Sequence, residues 1–393
     1  MPIVNRLADF QDDIAAWRHD LHRHPEILYE VHRTAATVAE KLAEFGVDEV
    51  VTGLGRTGVV GVIRGRTNTG GRVIGLRADM DALPIHEASG ASWSSTVPGR
   101  MHACGHDGHT AMLLGAARYL AETRNFDGTA VVIFQPAEEG GAGGLAMVED
   151  GLMERFGIEE VYGMHNMPGL PVGDFAMRPG PMLAATDEFT ITVHGMGGHA
   201  AQPHRTIDPI LIGTALVQSL QSIVSRSINP IDAAVVSVTR FHAGDAYNVI
   251  AETAEIAGTA RTLKPEIRDM VERRMGEIAA GLAAAHGTEI ALNYRRNYPV
   301  TRNHAAQVEF AAEVASEIVG GARVDTDVPP LMGGEDFAYM LEKRPGAMVF
   351  LGNGDSAGLH NPGYDFNDEA IAFGASYWVR LIERAMPATP ASG

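Results

Sequence analysis

Four continuous apolar runs in the chain each stop at polar residues, and this pattern restricts the possible fold more than any other feature. The runs are GRVIGLRAD, TAVVIFQ, EVYGM and AMVFLG, and helical stretches lie between them. Continuous apolar strands that alternate with helices are typical of a parallel sheet covered on both faces. In such sheets ligands bind beyond the carboxyl ends of the strands. The polar residues that follow the runs are Asp79, Asp81, Glu138, Glu139, His165 and His360.

Residues 183–293 follow a different pattern. In EFTITVHG the apolar residues alternate with polar neighbours, which indicates a strand with one buried face. A helix, two strands, a second helix and a last strand follow, and this β-α-β-β-α-β order is that of a ferredoxin-like unit. The apolar runs resume afterwards. We therefore predict an α/β main domain of residues 1–182 and 294–393, with residues 183–293 as a domain inserted into it.

The 393 residues carry a formal net charge of −18 and a single cysteine, Cys104. A strongly negative chain repels nucleic acid and anionic membrane surfaces, so neither is expected as a partner. The N-terminal segment lacks the apolar run of a secretory signal, and no stretch has the roughly 20 apolar residues that span a bilayer. One cysteine excludes a disulfide within the chain. Together these features predict a cytoplasmic location.

The single cysteine lies in MHACGHDGH, two residues before His106. In an extended stretch both side chains can point the same way, and thiolate and imidazole suit zinc and similar metals. Two alternatives stay open at this point. Cys104 could be a buried, inert thiol, or a nucleophile with His106 or His109 as its base. We predict that this segment is a loop that opens the helix TAMLLGAARYLAE.

Glu138 and Glu139 are adjacent carboxylates, which repel each other unless a cation lies beside them. Adjacent residues of a strand point to opposite faces, so we expect one to bind metal and the other to take a proton from water. An exposed acidic loop tip is the alternative. His165 and His360 are each placed to be ligands after a strand, although an isolated histidine is more often structural.

Several other sequence patterns bear on the function. GAGGLA, residues 141–146, has the form of a dinucleotide-binding turn, but the glutamates before it would repel a pyrophosphate. Serine-hydrolase and phosphate-loop motifs do not occur. In the inserted domain, glycines present His199, while Asn248 and Arg261 are polar groups that a substrate could use. Arginine pairs well with a carboxylate, although a surface ion pair explains Arg261 equally well.

Taken together, the sequence resembles the M20 peptidase/amidohydrolase family, in its branch of aminoacylases, hippurate hydrolases and auxin-conjugate hydrolases. The resemblance runs from about residue 18 to residue 366. The matching segments, in order, are RHDLHRHPE, LRADMDALPI, MHACGHDGHTAMLLGAA, FQPAEEGGAGG, GMHNMPGLPVG, GGHAAQPH, GGEDFAYM and GLHNPGYDF.

The resemblance implies a parallel-sheet metallohydrolase domain with an inserted ferredoxin-like dimerisation domain. It also implies two divalent metal ions per subunit, Mn²⁺, Zn²⁺, Co²⁺ or Ni²⁺. The implied metal ligands are Cys104, His106, Glu139, His165 and His360, with Cys104 bridging the ions. Such a thiolate is a ligand and not the attacking group.

The remaining site residues are also assigned by the resemblance. Glu138 matches the general base and Asp81 an acid that orients the site. His199 matches a histidine that reaches the active site of the other subunit. The positions implied to contact substrate are Asn248, Arg261 and Gly334. Many members of the wider family have His at position 79 and Asp at position 104, whereas this branch shares Asp79 and Cys104, so the role of Asp79 is not assigned.

The implied activity is hydrolysis of a linear amide. A metal-activated water would cleave N-acyl amino acids, such as hippurate-like, N-acetyl or indoleacetyl conjugates, to a carboxylic acid and a free amino acid. The expected partners are this small substrate and a second copy of the chain, in a homodimer or higher homo-oligomer. The alternatives are a dipeptidase or aminopeptidase-type M20 peptidase and a non-catalytic ligand-binding homologue.

Overall fold

The computed structural model describes residues 4–388. The chain divides into two compact units. The larger comprises Met1–Met182, Arg302–Pro329 and Asp336–Gly393, and the smaller comprises Leu183–Thr301 and Pro330–Glu335.

The elements up to Leu183 are α1 (Asn5–Asp9), α2 (Gln11–Arg23), α3 (His32–Glu44), β1 (Glu49–Leu54), β2 (Gly58–Arg64), β3 (Val73–Asp79), α4 (His106–Thr123), β4 (Thr129–Gln135), α5 (Gly143–Glu149), α6 (Leu152–Arg155), β5 (Glu160–Pro168), β6 (Phe175–Ala176) and β7 (Gly180–Leu183). Those that follow are β8 (Ala185–His194), β9 (Gly198–His199), α7 (Pro209–Ser222), β10 (Ala234–His242), β11 (Val249–Ile250), β12 (Thr253–Thr262), α8 (Pro265–His286) and β13 (Ile290–Arg296). The last are β14 (Thr301–Asn303), α9 (Ala305–Val319), β15 (Val324–Asp325), α10 (Ala338–Leu341), β16 (Gly346–Gly354) and α11 (Ala370–Ala385).

An eight-stranded sheet forms the centre of the larger unit, in the order β1-β2-β4-β3-β5-β16-β6-β15. Its central strands β4, β3, β5 and β16 are parallel. Strands β1 and β2 are antiparallel to each other, and β2 is antiparallel to β4. The predicted α/β fold is therefore confirmed, with a mixed, mostly parallel sheet. The four predicted strands correspond to β3, β4, β5 and β16.

Helix α4 packs against β3 and against α2 and α11. It is buried along most of its length, which explains its nearly continuous apolar sequence. The predicted first helix, residues 6–24, is two helices that join at Phe10. The core of this unit includes Trp378 of α11 and Phe134 of β4, both almost fully buried.

The smaller unit contains a four-stranded antiparallel sheet in the order β10-β12-β8-β13, on which α7 and α8 pack. Phe189, Ile191 and Val193 of β8 are buried in the predicted alternation. Helix α7 begins after Asp208, whose side chain accepts hydrogen bonds from two main-chain N–H groups of the first turn. The short strands β9 and β11 pair with each other.

Among the helices of residues 4–388, none has both the length and the apolar character needed to cross a membrane.

Candidate metal centre

The segment around the single cysteine is a helix start. Helix α4 begins at His106, whereas the sequence predicts a loop that continues to His109. Gly105 precedes the helix with a left-handed φ of 89°, a conformation that glycine adopts without strain. Cys104 and His106 are therefore brought together by a sharp turn, and not by the extended backbone that we predicted.

The structure brings the five predicted ligands together. Cys104, His106 and His165 form one group, and Cys104, Glu139 and His360 form a second. In each group the potential ligand atoms lie within 4.8 Å of one another. Cys104 Sγ is 3.4 Å from His165 Nε2, and His360 Nε2 is 3.2 Å from Glu139 Oε1. Cys104 belongs to both groups, and the donor atoms of the two groups are of the kinds that bind divalent cations.

Glu138 and Glu139 lie in a turn after β4, not on the strand itself. Asp81 holds this turn, because its two carboxylate oxygens accept the main-chain N–H groups of Glu138 and Glu139 at 2.9 and 3.1 Å. We expected the two glutamates to point to opposite faces. Instead, a carboxylate oxygen of each lies within 4.8 Å of the other and of His106.

The donor set fits divalent cations. One sulfur, three imidazoles and one carboxylate suit zinc and other borderline metals. His106 is fully buried, and neither of its ring nitrogens makes a hydrogen bond of good geometry. A buried polar atom without a partner is costly, so these nitrogens are available to a ligand.

The electrostatics of these residues also favour a bound cation. Burial alone would lower the pKa of His106, but Asp79 and Cys104 outweigh it and raise that pKa well above its ordinary value. Contacts with Cys104 and Glu139 raise the pKa of His360 to about 10. Both shifts show that the surrounding groups favour positive charge at this point. Burial is the main cause that lowers the pKa of His165 to about 3, which keeps its imidazole neutral, as a metal ligand must be.

His109 is held differently from the predicted ligands. Its Nδ1 is 2.6 Å from Asp79 Oδ1, and its Nε2 accepts the main-chain N–H of Asn166 at 3.0 Å. Both nitrogens are therefore engaged, although Asp79, His106 and His109 also lie close enough to be a ligand group. His109 is consequently not free to activate a thiol. Burial also raises the pKa of Cys104, which disfavours an activated nucleophile.

Sequence reasoning missed a buried ion network beside the centre. Arg77 of β3 is fully buried and donates to Asp79 at 2.8 Å, to Asp336 at 3.0 Å and to Gln135 at 2.9 Å. The main-chain N–H of Asp336 lies 3.4 Å from Glu138 Oε1. An arginine inside a continuous apolar run is the signal that could have revealed this network, because a buried charge needs partners.

The four site residues predicted in the smaller unit fall into two places. His199 lies on β9, whose partner strand β11 follows directly after Asn248. Arg261 lies near the far end of β12, and its neighbour Thr186 contacts the position of Gly334. Arg261 lies eight positions after Thr253, which is near β11, and eight positions span roughly 25 Å along an extended strand. Within one copy of this unit, His199 and Asn248 therefore lie far from Arg261 and Gly334.

Gly105→Ala is expected to destabilise the larger unit beyond the cost of its left-handed backbone. An added Cβ would lie 2.4 Å from Asn166 Nδ2 and 2.5 Å from Tyr364 Oη. Overpacking of this kind costs about 1–3 kcal/mol in free energy of unfolding, measured by denaturant titration.

Gly90→Ala is the matched control. Gly90 also has a positive φ, of 73°, but no atom lies within 4 Å of its added Cβ. It should cost only about 1–2 kcal/mol, the strain of the left-handed backbone. Equal losses in the two variants would mean that the packing around Gly105 is loose.

Comparisons with known proteins identify the family of this chain. Residues 75–384 match peptidase family M20/M25/M40. The hippurate hydrolase of Campylobacter jejuni is 43% identical, over 97% of this chain and 98% of that protein. The N-acetylcysteine deacetylase of Bacillus subtilis is 39% identical, over 95% of this chain and 96% of that protein.

A solved structure from Bacillus subtilis, described as a dinuclear metal binding peptidase from the M20 family, is similar along the whole chain. Its TM-score is 0.84 at 35% sequence identity, and the match covers 97% of this chain and 100% of that chain. The resemblance inferred from the sequence motifs is confirmed, and the chain belongs to peptidase family M20/M25/M40.

Proposed function

We propose that this chain is a metal-dependent amidohydrolase that cleaves N-acyl amino acids to a carboxylic acid and a free amino acid. The observation that carries the proposal is the convergence of Cys104, His106, Glu139, His165 and His360, with Glu138 beside them. Similarity to a hippurate hydrolase and to an N-acetylcysteine deacetylase over nearly the full chain supports the substrate class.

We propose that the five converging residues hold two divalent ions, Mn²⁺, Zn²⁺, Co²⁺ or Ni²⁺, with Cys104 shared between them. Bound ions of this kind lower the pKa of a water and polarise a substrate carbonyl. The ring of His165 is held in one orientation by a hydrogen bond within the chain. The Nδ1–H of His165 donates to the main-chain oxygen of Asn166 at 2.7 Å, which leaves Nε2 directed at the Cys104 side as an acceptor.

Glu138 is the general base in this proposal. It takes a proton from the attacking water and returns it to the departing amine. Asp81 positions it through the turn that both glutamates share. In the smaller unit, His199 Nδ1 accepts the main-chain N–H of Ala201 at 3.1 Å, so a neutral His199 carries its proton on Nε2. That proton is suited to stabilise the oxyanion that develops on the carbonyl.

The test is a substrate panel on the metal-loaded protein. We expect hydrolysis of hippurate and N-acetyl amino acids after incubation with Mn²⁺, and loss of turnover after treatment with a chelator. Dipeptides belong in the same panel, because the related Bacillus subtilis structure is described as a peptidase. Faster cleavage of dipeptides than of N-acyl amino acids would favour the alternative hypothesis of a dipeptidase. Absence of turnover on the whole panel would contradict the proposal.

We further propose that the smaller unit is a ferredoxin-like dimerisation domain. It carries strongly exposed apolar side chains, among them Ile231 and Tyr247. A second copy of the chain would cover such side chains in the proposed dimer. The separation of His199 and Asn248 from Arg261 and Gly334 also supports a dimer, since one small substrate can contact both places only if they come from two chains.

Mixing two inactive variants tests this arrangement. His199→Ala and Arg261→Ala should each be inactive alone, but mixed dimers should recover activity, because one of their two sites has both native residues. With random exchange, about a quarter of wild-type activity is expected. The control is the same experiment with two variants of the ligand set, His106→Ala and His165→Ala, which lie in one unit and should not complement. No recovery with the first pair would contradict the arrangement.

A further inference from the structure

Asn166 is fully buried directly after His165, and no motif singled it out. Its side-chain amide and its main chain all make hydrogen bonds. Nδ2 donates to the main-chain oxygen of Cys104 at 2.6 Å and lies 3.0 Å from His109 Nε2. Oδ1 accepts the hydroxyl of Tyr364 at 2.6 Å. A buried amide with every atom engaged holds its neighbours in one arrangement.

These contacts reach the three segments that carry Cys104, His165 and His360. The amide holds the carbonyl of Cys104, at the turn where Gly105 allows the close approach. The carbonyl of Asn166 fixes the imidazole of His165. Tyr364 lies four residues after His360, in the loop whose His360 N–H donates to Ala103 O at 2.8 Å.

His109 also holds Asn166, and Asp79 in turn holds His109. His109 accepts both the main-chain N–H and the side-chain amide of Asn166, so its proton lies on Nδ1 and is donated to Asp79. The second oxygen of Asp79 accepts Arg77. Asp79 therefore orients His109 through fixed hydrogen bonds, and this explains an aspartate at a position that the resemblance left without a role.

We propose that Asn166 is a positioning residue for the cation centre. Its amide ties together the segments that carry Cys104, His165 and His360, and so sets the affinity of the protein for divalent cations. Asp79 and His109 act through it and are not themselves ligands. The inference rests on the proposed function only in assuming that this centre binds divalent cations.

The experiment measures Mn²⁺ affinity of the full-length protein, freed of metal, by competition with a fluorescent chelator. Asn166→Asp replaces the donor Nδ2 by an oxygen that faces the Cys104 carbonyl and the His109 lone pair. The loss of a residue that supports ligands typically weakens metal binding about 10- to 100-fold, and that is the expected result. Once Mn²⁺ is saturating, kcat should return to near the wild-type value, since no reacting group has changed.

Asn303→Asp is the matched control. Asn303 is almost fully buried in the same unit, with Nδ2 donating to Met348 O at 2.8 Å and Oδ1 accepting Met348 N–H at 2.7 Å. This variant should lose stability without a change in Mn²⁺ affinity. Wild-type affinity in a folded Asn166→Asp variant, or an equal loss in Asn303→Asp, overturns the proposal.

If the Asn166→Asp variant does not fold, the Tyr364→Phe variant tests the proposal instead. It removes only the hydroxyl that holds Oδ1, and it should weaken Mn²⁺ binding several-fold, whereas unchanged binding contradicts the proposal. The outcome is separate from the test of activity. A protein that hydrolyses no N-acyl amino acid but loses Mn²⁺ affinity in Asn166→Asp supports the positioning role alone. An active hydrolase whose variant binds Mn²⁺ normally supports the function alone.

Discussion

Glu138→Gln is expected to lower kcat about 10²–10⁴-fold, the usual contribution of a general base, while both cations stay bound. Glutamine keeps the shape of the side chain but cannot accept the proton of the attacking water. The turn that carries it should persist, because Asp81 holds the main chain of that turn and not the Glu138 side chain. Steady-state kinetics and metal analysis of the same preparation check both parts of the prediction.

Glu139→Gln is the informative comparison for this variant. Glu139 lies in the same turn, and it shares a potential ligand group with Cys104 and His360. Its substitution should reduce metal content as well as activity, whereas Glu138→Gln should reduce activity alone. Near-normal turnover of Glu138→Gln with a full metal complement would assign the proton transfer to another residue.

Cys104→Ser is expected to weaken Mn²⁺ binding by more than about 100-fold, a larger loss than removal of a supporting residue causes. The serine hydroxyl stays protonated and is a poor ligand, and both ligand groups lose a member because Cys104 belongs to each. Hydrolysis should fall with the metal content. Metal analysis and turnover at increasing Mn²⁺ measure the two effects.

Cys104→Asp separates a ligand from a nucleophile. The resemblance implies that many members of the wider family have aspartate at this position, so the variant should recover a large part of the Mn²⁺ binding and activity that Cys104→Ser loses. If Cys104→Asp bound Mn²⁺ normally but remained inactive, the thiol would take part in the chemistry, and the thiol-hydrolase alternative would return.

The sequence predicts that the proposed ligands lie near one another because the chain forms a parallel sheet. Parallel strands end at one edge of a sheet, so the residues that follow β3, β4 and β16 had to lie near one another. The alternation in β8 likewise reveals a strand with one buried face. These inferences need only the periodicity of the chain and the polarity of its strand ends.

The details of the centre depend on contacts that no periodicity encodes. The start of α4 at His106 follows from the left-handed turn at Gly105, and glycine is also compatible with a loop. The role of Asn166 follows from partners on three distant segments, which only the folded chain brings together. Arg77 is the one such detail that the sequence can predict, because a charged residue within an apolar run needs a buried partner.

The placement of His199 and Arg261 at opposite ends of the smaller unit has a consequence for how the protein acquires its properties. Every residue that we propose as a cation ligand belongs to the larger unit of one chain, whereas the groups proposed to bind the substrate come from two chains. Under the proposed arrangement, a monomer can bind both metal ions but contacts only part of the substrate. Loading with ions is then complete in one chain, and turnover is a property of the pair.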